Sequence, residues 1–134
     1  MEKLLVVVAD YANMTVNQKL NIMGLFNELN PPAYPYRHPT LFLIFKMRAE
    51  LGEYDTTKTF TVKLYDADGN ELLAIPQEIK VPTIKAGRRP EINGVICLNN
   101  LEFIRPGNYV FVVLVNGDHK GEVSIIANPA RSLE

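Results

Sequence analysis

Cysteine and tryptophan are nearly missing from this sequence, and their scarcity excludes several kinds of protein. The 134 residues include one cysteine, Cys97, and no tryptophan. A single cysteine rules out an intrachain disulfide and fits a reducing compartment, so we expect a cytoplasmic protein. The disulfide and the buried tryptophan that characterise antibody domains are both absent.

The sequence also lacks an excess of charge of one sign and any long apolar run. The 14 basic residues nearly balance 15 acidic ones, so the chain has no basic footprint for a nucleic acid. The apolar run Leu4–Ala9 is followed at once by Asp10, and no run approaches the roughly 18 residues of a membrane-spanning helix. We therefore expect neither a nucleic acid nor a membrane as partner.

Signatures of catalysis and of metal binding are missing as well. No Gly-x-Ser-x-Gly motif, phosphate-cradling loop or catalytic pair of carboxylates occurs. The two histidines, His38 and His119, have no ligand neighbour at metal-binding spacing. Cys97 lies between Ile96 and Leu98 in a predicted strand, where a thiol behaves as a small core hydrophobe. We expect no enzyme activity, no metal site and no cofactor.

What the sequence does contain is a series of short extended segments. Phe60, Val62 and Leu64 alternate with polar residues, which indicates a strand with one buried face. Asn116-Gly117 between two such segments predicts a type I′ hairpin. About eight or nine strands at roughly ten-residue spacing predict an all-β, antiparallel two-sheet β-sandwich of immunoglobulin-like type. With 47% apolar residues, the chain is expected to form one domain over residues 1–134.

The stretch 30–39 holds four prolines, which predicts an extended connector that is neither helix nor central strand. Its aromatic and basic residues are of the types enriched at binding hot spots. The predicted binding residues are Tyr34, Tyr36, Arg37 and His38. Alternatively, the tyrosines simply anchor the connector to the edge of the sandwich. Residues 128–134 are predicted to be a frayed tail.

Three predicted strands are apolar on both faces, namely Leu4–Ala9, Leu41–Phe45 and Tyr109–Val115. A two-layer sandwich buries only one face of each strand, so something else must cover the second face. A partner protein, or a second copy in a homodimer through sheet faces, is predicted to do so. The predicted interface residues are Val110, Val112, Leu114, Phe42 and Ile44. In the alternative, the segment around Met23–Leu29 or the proline-rich connector folds over that face within one chain.

Two resemblances accompany these patterns. Leu101-x-Phe-x-x-Pro-Gly-x-Tyr109 resembles the turn-into-strand element of immunoglobulin-like and fibronectin-like sandwiches, which implies that the Tyr109 hydroxyl bonds back to the loop backbone. Asp10-Tyr-Ala, Lys19-Leu-Asn-Ile-x-Gly-x-Phe26 and His38-Pro39 together resemble a family of small bacterial proteins known only as a domain of unknown function. The second resemblance implies no activity.

These observations favour a non-catalytic module for protein interaction or assembly. The alternative is a sandwich that binds calcium or carbohydrate. Its site would be formed by Asp66, Asp68 and Glu71, or by Tyr34 and Tyr36.

Overall fold

A computed structural model describes residues 1–83 and 87–130 of the chain. Within these ranges the protein consists of strands and loops without a helix, and therefore has no helix that could cross a membrane. The nine strands are β1 (Glu2–Met14), β2 (Leu20–Leu25), β3 (Glu28–Leu29), β4 (Tyr36–Arg48), β5 (Thr57–Tyr65), β6 (Glu71–Lys80), β7 (Glu91–Phe103), β8 (Gly107–Val115) and β9 (Asp118–Ala127). The all-β prediction is confirmed.

The strands form two sheets. The first has four antiparallel strands in the order β2-β1-β4-β7, and the second has five in the order β3-β9-β8-β5-β6. The prediction of a purely antiparallel fold is wrong at one place, because β3 runs parallel to β9. There the chain leaves the first sheet after β2 and runs beside the end of β9, where the Ile126 amide donates to the Asn27 carbonyl at 2.8 Å.

The main core lies between the two sheets. Phe45 of β4 stacks on Phe60 of β5 with ring centroids 5.5 Å apart, so the sheets pack face to face. Phe60, Val62 and Leu64 are buried, as their alternation predicted. Burial of such side chains stabilises the fold by about 1.5–3 kcal/mol each, before the entropy of ordering is subtracted.

Both turns around β8 have the predicted form. Asn116 and Gly117 have φ angles of 49° and 86°, as a type I′ hairpin requires. The Tyr109 hydroxyl donates to the Arg105 carbonyl at 2.7 Å, and its ring meets Phe103 edge-on at 4.8 Å. The hydrogen bond implied for the corner tyrosine is therefore present.

The proline-rich connector is shorter than predicted. β4 already begins at Tyr36, so residues 36–39 belong to a strand. Between Tyr36 and Leu41 this strand pairs only with β7, since β1 joins it from Phe42 onward. Pro39 is tolerated there because one side of β4 carries no ladder.

Asn128, the first residue of the predicted frayed tail, is held by two hydrogen bonds. The Asn128 amide donates to the Leu29 carbonyl at 2.9 Å, and the Asn128 carbonyl accepts a bond from the Tyr34 hydroxyl at 2.5 Å. Asn128 is therefore anchored to the second sheet. Residues 131–134 of the predicted tail lie outside the described residues.

Candidate interaction surface

The first sheet carries a hairpin that bends away from it. β1 pairs with β4 only as far as Ala9 opposite Phe42, whereas it continues beside β2 as far as Met14 opposite Leu20. Residues 10–25 therefore form a two-stranded extension, called the folded hairpin below. Its turn is closed by the Gln18 amide, which donates to the Thr15 carbonyl at 2.9 Å.

One glycine permits the bend at the base of the folded hairpin. Gly24 has a φ of 71°, a conformation that few residues other than glycine adopt at low cost. A Cβ atom at this position would overlap the Asp10 carboxylate. Both the backbone angle and the available space therefore require glycine at this place.

The inner side of the folded hairpin covers the outer face of the first sheet. A second apolar cluster, separate from the main core, consists of Val7, Ala9, Ala12, Leu20, Ile22, Phe42, Ile44 and Val95. Near the turn, the Asn93 side-chain amide of β7 donates to the Gln18 carbonyl at 3.2 Å. The second face of β1 and β4 is thus covered within the same chain, by residues that precede the predicted Met23–Leu29 segment.

The outer side of the folded hairpin is exposed; it is apolar near the base and polar near the turn, where the Asn21 side-chain amide donates to Asn13 Oδ1 at 2.9 Å. Tyr11 lies opposite Met23 in the ladder, and the two are 47% and 65% exposed, while Leu25 is 63% exposed. Val16 is exposed in the turn, and Met14 is exposed near it on the other face of the hairpin, opposite Leu20 in the ladder. We call Tyr11, Met14, Val16, Met23 and Leu25 the hairpin surface. The described residues include nine exposed large hydrophobics, and five of them belong to this surface.

Two of the four predicted binding residues meet near the base of the hairpin. The Tyr36 hydroxyl and His38 Nδ1 share a hydrogen bond of 3.0 Å, and the rings of Phe26 and His38 lie 5.8 Å apart. Burial lowers the pKa of His38, although the Asp10 charge and a backbone hydrogen bond at Thr40 oppose the shift. His38 is therefore neutral at pH 7 and fastens β4 to the bend.

The other two predicted binding residues point to different neighbours. Tyr34 packs against the main core, and burial, aided by the nearby Tyr109, raises its pKa. Arg37 pairs with Glu102 on β7 at 2.9 Å. The four residues thus form no single site, and Tyr34 serves as the anchor that the alternative interpretation expected.

The predicted interface residues are divided between the two sheets. Ile44 is fully buried and Phe42 partly buried under the folded hairpin. Val110, Val112 and Leu114 lie instead on the second sheet, so the five residues form no common patch. Ile44 is not available to a partner in this conformation.

Long polar side chains flank the apolar strip of β8. Val112 lies between Lys63 of β5 and Glu122 of β9 in the ladder and is only 9% exposed. Lys63 is held by Glu71 at 2.8 Å. Aliphatic stems of such residues cover apolar surface while their charged ends stay in water, so this face needs no additional layer.

The acidic turn after β5 uses its carboxylates locally. Asp66 Oδ1 accepts the Asp68 and Asn70 amides, both at 2.9 Å. Hydrogen bonds from the Asn70 and Asp68 amides, with the Arg105 charge, keep the pKa of Asp66 low. Arg105 also pairs with Asp68. No group of three metal-ligating side chains occurs in the described part of the chain.

Cys97 does not have its predicted position. It is exposed, whereas Ile96 and Leu98 are buried. Because all three residues are apolar in type, local sequence does not reveal which parity faces the core. The residues of the hairpin surface were missed for a different reason, since alternation shows a strand but not what lies against it.

Its architecture makes this chain an all-β protein of two packed sheets with an apolar hairpin folded over one of them. The chain belongs to the family of unknown function DUF6941, whose model matches residues 4–128. No functionally curated protein matches the sequence.

Two solved structures resemble parts of the fold. One is the Pseudomonas fluorescens alkylpurine DNA glycosylase AlkC bound to DNA containing an abasic site analog, at 14% identity and a TM-score of 0.49, with 77% of this chain and 28% of that chain covered. The other is a putative beta-galactosidase from Bacteroides fragilis, at 12% identity and a TM-score of 0.37, with 71% and 15% covered. The chain spans less than a third of either protein.

Proposed function

We propose that this protein is a non-catalytic interaction module that binds a partner protein through the hairpin surface. The observation that carries the proposal is the concentration of exposed large hydrophobics on residues 10–25. Large exposed apolar patches on a folded domain mark interaction sites. The patch is displayed on a support that is itself packed, because the opposite side of the hairpin belongs to the second apolar cluster.

The chemistry of the hairpin surface indicates the kind of partner. It contains no charged side chain, and it combines one tyrosine with two methionines. Tyrosine and methionine are enriched at protein interfaces, and methionine adapts its shape to irregular apolar surfaces. The partner is expected to present an apolar groove or ridge, and its affinity should depend little on salt because no ion pair is required.

A groove beside the hairpin surface extends the area available to that partner. It is lined by Val7, Val8, Leu25, Phe26, Asn27 and Val123. Leu25 belongs to both the hairpin surface and the groove. A protruding apolar side chain of the partner can therefore enter the groove while neighbouring side chains of the partner cover Met23. Tyr11 is fixed beside them by an edge-on contact with Phe42 at 5.2 Å.

A charge-insertion pair tests the proposal. Met23→Lys with Leu25→Lys places two ammonium groups on the hairpin surface, and the matched control Leu72→Lys with Ile126→Lys does so at two exposed apolar positions on the second sheet. Partners captured by the tagged wild-type chain are identified by mass spectrometry, purified and titrated against all three proteins. The hairpin variant should bind at least about 100-fold more weakly, as substitution in an interface centre does, while the control keeps wild-type affinity.

Equal binding by the hairpin variant and the wild type would overturn the proposal. So would a wild-type chain that captures no protein beyond those the hairpin variant captures. Circular dichroism and the thermal midpoint of each variant establish that it remains folded.

The proposal includes two further statements, one on the topology of the fold and one on the location of the protein. An immunoglobulin-like sandwich topology is supported by the Tyr109 corner hydrogen bond and by the two packed sheets. A cytoplasmic location is supported by the single, exposed thiol of Cys97, since exposed free thiols persist in reducing compartments.

A further inference from the structure

The four edges of the two sheets are not equally protected against pairing with another strand. β6 carries Pro76 in its middle and charged residues at Glu71, Glu78 and Lys80. β3 has only two residues, and β2 has six in the bent hairpin. Prolines, charges, short length and bending are the devices by which natural proteins prevent edge-to-edge association.

β7 has such devices only near its two ends, at Glu91 and at Asn100–Glu102. It is 13 residues long, and the ten residues from Ile92 to Leu101 include neither a charge nor a proline. It pairs with β4 along one side, and no described strand pairs with its other side. Asn100, with a φ of 56°, interrupts the extended backbone, so the regular part of this edge is Ile92–Asn99.

We propose that β7 pairs antiparallel with β7 of a second copy of this chain, joining two four-stranded sheets into one sheet of eight strands. A twofold axis perpendicular to the sheet makes the contact self-complementary, because each pairing then occurs twice. The chemistry of Ile92–Asn99 allows this, since no charge of one copy meets the same charge of the other. If β7 paired with a strand of an unrelated protein, it would not need to be free of charge.

Charges at the two ends of β7 are already neutralised within each chain. Glu91 pairs with Lys46 at 3.2 Å, and Glu102 pairs with Arg37 at 2.9 Å. Antiparallel pairing brings the beginning of one β7 toward the end of the other, so these two ion pairs flank the contact. Neither end presents an unpaired carboxylate to the second copy.

The twofold axis also fixes which side chains meet. It keeps each face of the sheet on its own side, so the buried residues Ile92, Ile96 and Leu98 of both copies line the core face. Cys97 of one copy and Cys97 of the other then lie on the same outer face. In the register centred on Cys97 the two thiols belong to directly opposite residues, whose Cα atoms lie about 4.5–5.5 Å apart, a separation that a disulfide can bridge.

Solution mass tests the pairing. A dimer has twice the chain mass of 15.1 kDa. Cys97→Lys with Asn99→Lys places four ammonium groups near the axis, at side chains that are exposed in the single chain. Sedimentation equilibrium should show a dimer for the wild type and a dissociation constant at least about 100-fold higher for this variant, since juxtaposed like charges cost several kcal/mol.

Asn108→Lys with Ser124→Lys is the matched control, because both side chains are exposed on the second sheet and the charge change is the same. It should remain a dimer. The proposal is overturned if the wild type is monomeric at a protein concentration 100 times that of the partner-capture experiment. It is also overturned if the C97K/N99K protein dimerises as tightly as the control. A dimer lost in M23K/L25K but kept in C97K/N99K would also overturn it, and would place self-association on the hairpin surface instead.

Thiol oxidation gives an independent readout of geometry. Mild oxidation with copper phenanthroline should convert the wild type to a disulfide-linked dimer on a non-reducing gel. A variant with Cys97→Ser and Asn108→Cys moves the only thiol to the second sheet and should crosslink at least about tenfold more slowly, as random collision does. Equal rates for the two proteins contradict the proposed contact.

Discussion

At the scale of single residues, His38 shows how a predicted binding residue becomes a structural one. The aromatic and basic residues around His38 are of the types enriched at binding hot spots, and this made it a candidate binding residue. In the structure its ring is held by the Tyr36 hydroxyl and lies beside Phe26. The sequence pattern placed this side chain on a surface, but in the structure it fastens β4 to the base of the folded hairpin.

His38 should make stability depend on pH below neutrality. Burial lowers its pKa in the folded state, whereas in the unfolded chain the value is about 6.5. The unfolded chain therefore binds this proton first, so the contribution of neutral His38 is complete above about pH 7 and is lost as pH falls through 6.5 toward the folded pKa. Urea unfolding midpoints of the wild type and of His38→Gln, measured between pH 8 and about 5.5, test this.

The His38→Gln variant should lose less stability than the wild type over the acidic half of that range. His119→Gln is the control, because His119 is exposed on the second sheet, where its ring pairs with Glu122. Parallel pH profiles for wild type and His38→Gln would contradict the prediction.

At the scale of elements, β4 and β7 fit together through one aromatic ring and one glycine. Phe45 lies directly opposite Gly94 in the ladder, and a Cβ atom at Gly94 would overlap the Phe45 ring. The ring occupies the place where a side chain would otherwise stand, and it also stacks on Phe60 across the core. Glycine at this point is therefore a requirement of packing between neighbouring strands.

Gly94→Ala should destabilise the protein by about 1–3 kcal/mol, the usual cost of inserting a methyl group into a filled core. Phe45→Leu creates space at the same place, so the double variant should lose less stability than the two single losses added together. Urea unfolding of all four proteins completes the cycle. Ser124→Ala, at an exposed strand position, is the control and should change stability by less than about 0.5 kcal/mol. If the double variant loses as much stability as the two single variants together, the ring and the glycine are not coupled.

Local patterns predict elements better than they predict neighbours. Alternation at Phe60–Leu64 and the turn at Asn116-Gly117 depend on adjacent residues, and both were predicted correctly. Pro76, which cannot donate to a ladder, lies in β6 at an edge of the second sheet. The position of Cys97 was not predictable, because three consecutive apolar residues leave the parity of the strand open.

At the scale of the whole molecule, sequence predicted an all-β chain with about the right number of strands but not what covers the first sheet. Leu20 and Ile22 are ordinary strand residues by pattern. The bend at Gly24 determines which residues they contact, because it brings residues that are far apart in the sequence together. The hairpin surface is therefore a product of tertiary geometry, and no local signal marks it.

The two proposed contacts together predict avidity. In the twofold dimer both folded hairpins lie on the same face of the eight-stranded sheet, so one dimer can engage two partner molecules on a dense surface. Wild-type protein should then dissociate at least about tenfold more slowly than C97K/N99K from a surface crowded with partner. On a surface that carries little partner, the two proteins should dissociate at the same rate. Biosensor measurements at two partner densities check both statements. Equal dissociation rates on the dense surface would contradict bivalent binding.

The separation of the second apolar cluster from the main core has a dynamic consequence. Ala12, Leu20 and Ile22 contact the first sheet but not the core between the sheets, so the hairpin can swing open while the two sheets stay packed. Such sub-global opening requires less free energy than complete unfolding, and amide hydrogen exchange would report it as weaker protection of β2 than of β4. In such an open state Phe42 and Ile44 would be accessible, and the hairpin would then act as a reversible cover over a second apolar surface.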